Sequence, residues 1–243
     1  MNHPKSVPAS TAWVVGTFDT KAAELDYLAD LLRAAGLRVV TVDIGTRSAP
    51  SVADIGARDV ARHHPVGEAS VFAAADRGVA VIAMSEALCN LVRERLAAGE
   101  IGGMLGVGGS GGSSMVAPAM RLLPIGAPKL LVSTMAAGDV SAYVGVTDMT
   151  LMYPVTDIAG LNRLSRTILA NAAHAMAGML LHPPPPADSL DKPSIGLTMF
   201  GVTTPCVQAV RMLLQDDYDA QVFHANGAGG RTLEALAAAG MLQ

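Results

Sequence analysis

Five glycines and three serines crowd into the nine residues GVGGSGGSS, 106–114. A glycine inside a regular element weakens it by roughly 0.5–1 kcal/mol relative to alanine. So dense a run makes physical sense where the backbone turns sharply or where something approaches it closely, either a neighbouring strand or a bound anion. The run is neither G-x-x-x-x-G-K-[ST] nor a clean G-x-G-x-x-G, so neither fingerprint's mechanism is assumed. It still has what phosphate binding needs. Gly108, Gly109, Gly111 and Gly112 present backbone without a Cβ, and Ser110, Ser113 and Ser114 can donate to phosphate oxygens. Ser113 or Ser114 is the expected cap of a following helix. The alternative is a tight strand-to-helix turn packed against a neighbour.

A second stretch of this kind is GTFDTK, Gly16 to Lys21. Asp19 or Thr20 can cap a helix, which puts Lys21 in its first turn. A lysine is mildly unfavourable there because the helix N-terminus is already positive. An anion reverses that sign, drawing backbone N–H groups, helix dipole and Lys21 to one point; the alternative is a solvated lysine. Asp43 closes the next strand, where dinucleotide-binding folds place a ribose-binding acid, and Arg47 is either a second cation for phosphate or a surface arginine. Asp139 and Asp148 are equally Mg²⁺ or water-network ligands or turn caps. HANGAGGR, 224–231, is a further glycine loop before a helix. It could bind an anion of its own or close over the first site.

These residues need strands and helices to hold them. AWVVGT (12–17) is a short β-rich run, and Leu25, Leu28, Leu32 and Ala35 then recur at helical spacing up to Gly36. LRVVTVDIGT (37–46) reads as a buried strand, 47–67 as loop with a short helix, and 68–98 as helix broken near Gly78. IGGMLGVGG (101–109) and PKLLVSTM (128–135) are two more strands, and 161–181 a long helix. Strand and helix alternate with short connections, so the fold class is α/β, a Rossmann-like doubly wound parallel sheet. Its strand-end loops share one edge, where such sheets bind ligands. The prolines of HPPPPADSLDKP (182–193) mark a boundary. We expect a nucleotide-binding subdomain over 1–185, a linker over 186–193, and over 194–243 the start of a second Rossmann-like subdomain with two strands. Two strands alone do not make a stable sheet, and truncation of this second part is the expectation.

Composition excludes several classes. The chain has 243 residues, 51% hydrophobic, 4% aromatic, with net charge −4. That charge and the shortage of stacking rings argue against nucleic acid as a partner. No apolar run is long enough to span a membrane, and the N-terminus lacks a secretory apolar region. Cys89 and Cys206 read as reduced core cysteines of a cytoplasmic protein. There is no G-x-S-x-G, H-E-x-x-H or paired C-x-x-C, and His63-His64 reads as solvated. No nucleophile–base pair stands out, so neither catalytic residues nor metal ligands are assigned.

VVGTFDTKAAEL, VDIGT, GVGGSGGSS, YVGVTDMT, YPVTDIAGLNRLSRTILANAAHAMAGM and FHANGAGGRTLEAL resemble the ATP-binding domain family of the tomato mosaic virus resistance protein and its uncharacterised bacterial relatives. The resemblance runs from about Trp13 to the end. It implies two Rossmann-like subdomains, ATP binding and homo-oligomerisation. In the plant member it implies inhibition of viral RNA replication, a role that shared motifs do not transfer. Carried over by motif, Gly16 to Lys21, Thr46-Arg47 and Gly108 to Ser114 become the nucleotide-site candidates. The expected function is ATP binding, with or without Mg²⁺, in a regulatory or assembly module. The alternative is an ATP-dependent transferase, ligase or slow phosphohydrolase acting on a small carboxylate.

Overall fold

The computed structural model describes residues 11–47, 50–185 and 192–243. Most of the expected linker, 186–191, lies outside them. The chain divides into two compact units, Met1–Pro183 and Pro184–Gln243.

In the first unit, β1 (Thr11–Gly16) leads into α1 (Phe18–Ala34), β2 (Arg38–Asp43), α2 (Ala57–Ala61), α3 (Ala69–Phe72) and α4 (Arg77–Ala97). Then follow β3 (Gly103–Gly108), α5 (Ser110–Met120), β4 (Lys129–Ser133), α6 (Ser141–Val144), β5 (Thr150–Met152) and α7 (Arg163–Leu181). The second unit holds β6 (Ser194–Met199), α8 (Thr204–Leu214), β7 (Asp219–His224) and α9 (Ala228–Ala238).

The first five strands form one parallel sheet in the order β2-β1-β3-β4-β5. Both faces are covered, which is why its strands read as nearly unbroken apolar runs. Side chains alternate along a strand, and β1 feeds both layers. Trp13 and Val15 enter the core under α2, α4 and α5, while Ala12 and Val14 enter the core under α1 and α7. The fold is the expected doubly wound α/β sheet, Rossmann-like in kind. The chain leaves β1 for β2 on one side and for β3 on the other. The strand order therefore reverses between β1 and β3, and that reversal opens a crevice at their carboxyl ends.

Some expectations at the level of elements change. The helical stretch 68–98 is two helices, and the break falls at residues 73–76 rather than near Gly78, which lies in the first turn of α4. Asp76 causes the restart, because its side chain accepts from Val79 N at 3.0 Å. Both cysteines are free, but only Cys89 is half-buried; Cys206 on α8 is exposed and belongs to no core. In the second unit β6 and β7 pair in parallel, and among the described residues of that unit only Ala220 is buried.

Candidate functional site

A cavity of about 580 Å³ lies where the sheet order reverses. Three helix starts border it: α1 with N-cap Thr17, α4 with N-cap Asp76, and α5 with N-cap Gly109. The first N–H groups of a helix have no partner inside the helix and carry its positive end. Lys21, Arg47 and Arg77 stand on the same walls, and among the described residues none of the three makes an ion pair. Asp19 and Asp76 are the acids present, Asp76 being engaged as a cap. Val71, Phe72, Ala80, Val81 and Met115 make up an apolar side. Such a site suits a ligand with a strongly anionic part and an apolar part.

Ten of the residues singled out in the sequence meet here: Thr17, Asp19, Thr20, Lys21, Thr46, Arg47, Gly109, Ser110, Gly111 and Gly112. Thr17, not Asp19 or Thr20, is the N-cap of α1, and its hydroxyl pairs with that of Thr20 at 2.7 Å. Lys21 departs from helical dihedrals, with φ −136° and ψ 26°, so the first turn of α1 is offset from the rest. Its Nζ donates to the main-chain oxygen of Ile158.

The other five have structural work and do not line the cavity. Asp43 is buried, and its Oδ1 accepts from Phe18 N at 3.0 Å and Gly45 N at 2.7 Å. It ties the loop after β1 to the loop after β2 and is absent from the cavity lining. Ser113 is fully buried, shares a 2.6 Å hydrogen bond with Ser133 and donates to Gly108 O. Ser114 donates to Gly111 O at 2.8 Å. Neither serine caps α5, which starts earlier, at Ser110. Gly16 and Gly108 are spaces that the fold itself requires. A Cβ on Gly108 would stand 2.7 Å from Ser113 N, and one on Gly16 would meet the Leu25 side chain at 2.8 Å.

The glycine run therefore has two parts. Gly106 and Gly108 let α5 settle against β3; a Cβ on Gly106 would lie 2.7 Å from Val116 and 2.9 Å from Met120. Gly109, Gly111 and Gly112 differ. A Cβ there would come no nearer than 3.7, 3.7 and 3.5 Å to any protein atom, which is ordinary contact. All three line the cavity. The close packing that fixes Gly106 and Gly108 does not act on them.

The two candidate metal ligands Asp139 and Asp148 have protein partners. Asp139 caps a turn through Ser141 N at 2.9 Å, and that hydrogen bond holds its carboxyl below the ordinary range. Asp148 pairs with Lys129 at 2.7 Å and accepts from Gly126 N at 2.7 Å. Burial alone would raise its carboxyl, but these partners outweigh burial and lower it. Among the described residues no three His, Cys, Asp or Glu side chains group as metal ligands. His63 and His64 face Glu94 and Glu86, each at 3.4 Å. Sequence reasoning missed Arg77 and the wall at 71–81. A break between two helices, with Asp76 three residues before Val79, was the readable signal.

Fold and cavity together define an α/β protein with a strand-end crevice bordered by three helix starts and three basic side chains. The chain belongs to the UPF0261 family: the model described as "Uncharacterised protein family (UPF0261) N-terminal domain" matches residues 10–184, and that of the C-terminal domain matches 192–243. It is 53% identical over 230 residues to a UPF0261 protein of Mesorhizobium japonicum, covering 95% of this chain and 57% of the relative. A UPF0261 protein of Clostridium tetani is 39% identical over 235 residues, 95% of this chain and 57% of the relative. The ToMV resistance protein Tm-1(GCR237) of Solanum lycopersicum is 38% identical over 250 residues, 94% of this chain and 33% of the relative. The chain thus spans about half the length of the bacterial relatives it matches. No helix among the described residues is long and apolar enough to cross a membrane.

Proposed function

We propose that this chain is a nucleotide-binding protein, with ATP as the ligand, and that it works as a regulatory or assembly module. The observation that carries the reading is the set of three glycines, Gly109, Gly111 and Gly112, which line the cavity and where an added Cβ would meet no close contact from the fold. Phosphate oxygens accept from backbone N–H groups only where no Cβ keeps them away, and a helix start supplies both donors and positive potential. Lys21, Arg47 and Arg77 add the cations that a polyphosphate needs. Mg²⁺ is held through phosphates and one or two carboxylates, and Asp19 on the wall fits that part. The apolar side at Val71, Phe72, Val81 and Met115 suits a base. Free cysteines, one of them exposed, suit the reducing cytoplasm.

Isothermal titration of the chain with ATP, with and without Mg²⁺, tests the reading. Saturable binding that weakens about tenfold or more in Lys21→Ala is expected, as one charge-assisted contact to phosphate is worth that much. Absence of heat from the wild-type chain in both conditions refutes it. Light scattering with and without ATP tests the assembly role, for which a nucleotide-dependent rise in mass between copies of the chain is expected.

A further inference from the structure

We propose that Lys21 couples the cavity to the connection between β5 and α7, residues 153–162, so that a bound polyphosphate loosens that connection. The inference rests on the phosphate reading of the cavity. Lys21 has two environments at once, for it lines the cavity while its Nζ donates to Ile158 O. One turn further along α1, the buried Glu24 accepts from Gly160 N at 2.6 Å. Two side chains of one helix therefore moor the same short segment, one by its ammonium and one by its carboxylate. Ile158 between them is buried, and Ser165 Oγ donates to Gly160 O at 3.2 Å.

The segment is held against its own preference. Val155 has φ +68°, a left-handed conformation that a β-branched residue adopts only under constraint. Val155 is also 57% exposed, so packing of its own side chain does not account for that conformation. A three-residue turn closes across it, Thr156 N donating to Pro154 O at 2.8 Å, and the moorings at 158 and 160 hold the chain that follows. A phosphate group in the cavity competes for the same ammonium. Both bonds have the ionised ammonium as donor, but a phosphate oxygen adds the attraction of a full negative charge, where the Ile158 carbonyl offers only a dipole. Lys21 turns to the ligand, Ile158 O loses its donor, and the segment keeps Glu24, the Ser165 hydroxyl and the buried Ile158 side chain but not its ammonium mooring. Ligand occupancy and order at 153–162 then oppose each other, and by linkage whatever orders the segment disfavours the ligand.

Hydrogen exchange on the full chain tests this, read on peptides spanning 153–162, for the wild type with and without saturating ATP and for Lys21→Met without ligand. Titration heats are measured on the same samples, with inorganic tripolyphosphate as a second ligand. ATP is expected to speed exchange at 153–162 by about threefold or more while slowing it at 109–113, and Lys21→Met is expected to give the faster rate with no ligand. Binding heat with unchanged or slower exchange at 153–162 overturns the coupling and leaves the phosphate reading standing. So does a folded Lys21→Met chain that exchanges like the wild type. If Lys21→Met fails to fold, the wild-type comparison decides alone. No heat with ATP or tripolyphosphate overturns both.

Discussion

At the scale of the residue, the most informative contrast is between glycines separated by three positions. Gly108→Ala pushes a methyl to within 2.7 Å of the Ser113 amide, on a backbone that cannot yield without moving α5. A cost of about 1–3 kcal/mol is expected, visible as a lower thermal midpoint. Gly111→Ala meets nothing nearer than 3.7 Å and sits in the first turn of a helix. Its folding stability is expected to hold or rise by up to roughly 1 kcal/mol, while its affinity for ATP falls. Thermal melts and titrations on both variants check the pair, and a Gly111→Ala chain that binds as well as wild type sinks the phosphate reading. The buried Lys129 makes a different residue-scale case. Its ammonium is satisfied by Asp148, Pro124 O and Ala127 O. Asp148→Asn removes the one anion beside a buried ammonium, but Asp148 is 39% exposed and two carbonyls remain, so a loss of about 1–3 kcal/mol is expected from chemical denaturation. The wild-type pair also sets a pH dependence. The folded Asp148 carboxyl lies below its ordinary value of 3.8. The unfolded chain therefore binds more protons in that range, and the stabilisation is complete above about pH 5 and lost as pH falls through the folded value. Denaturation between pH 2 and 5 in wild type and Asp148→Asn should show a steeper slope in the wild type, about the contribution of one group.

At the scale of the element, strand ends and helix starts were legible because periodicity and glycine state them directly. The runs around Val14, Val42 and Leu131 could only be buried strands, and the convergence of GTFDTK, DIGT and the glycine loop at one edge followed from parallel order. What escaped was whatever depends on neighbours distant in sequence. Ser113 and Ser114 look like caps by type, yet the glycines before them are already helical, so their hydroxyls turn to Ser133 and Gly111. Asp43 looks like a ligand acid by position, yet the close approach of two loops supplies two buried amides that claim its carboxylate. Arg77 reads as an ordinary surface arginine until the break before α4 turns it toward Gly111. Asp43 gives the element-scale prediction. Asp43→Ala leaves the amides of Phe18 and Gly45 unpaired, each worth about 1–3 kcal/mol when buried. It also lets Thr17 and Thr46 drift from the cavity. Melting and titration together should show both stability and ATP affinity falling, although Asp43 does not line the cavity.

At the scale of the whole molecule, the two units differ in how much they bury. The first has two apolar layers enclosing a five-stranded sheet. The second pairs two strands, and Val202, Met212 and Leu213 stand exposed on its surface at 96, 66 and 82%. A two-stranded sheet with so little enclosed apolar area is not expected to fold by itself. Residues 192–243 produced alone should show no cooperative thermal transition by circular dichroism, whereas residues 11–183 should melt sharply. The curated bacterial relatives run to nearly twice the length matched here, and their activities and partners belong to those longer chains.

The divided glycine run also says what a population of variants would do under laboratory selection. A library of this chain selected only for resistance to heat, with no nucleotide present, has nothing to keep glycine at 111 and 112, inside the first turn of α5, and alanine there favours the helix. Those two positions should drift toward alanine within a few rounds, while 106 and 108 stay fixed because α5 lies against them and 109 stays small or capping as the N-cap. The order in which the glycines disappear would separate what the scaffold demands from what the ligand demands, without any ligand having been supplied.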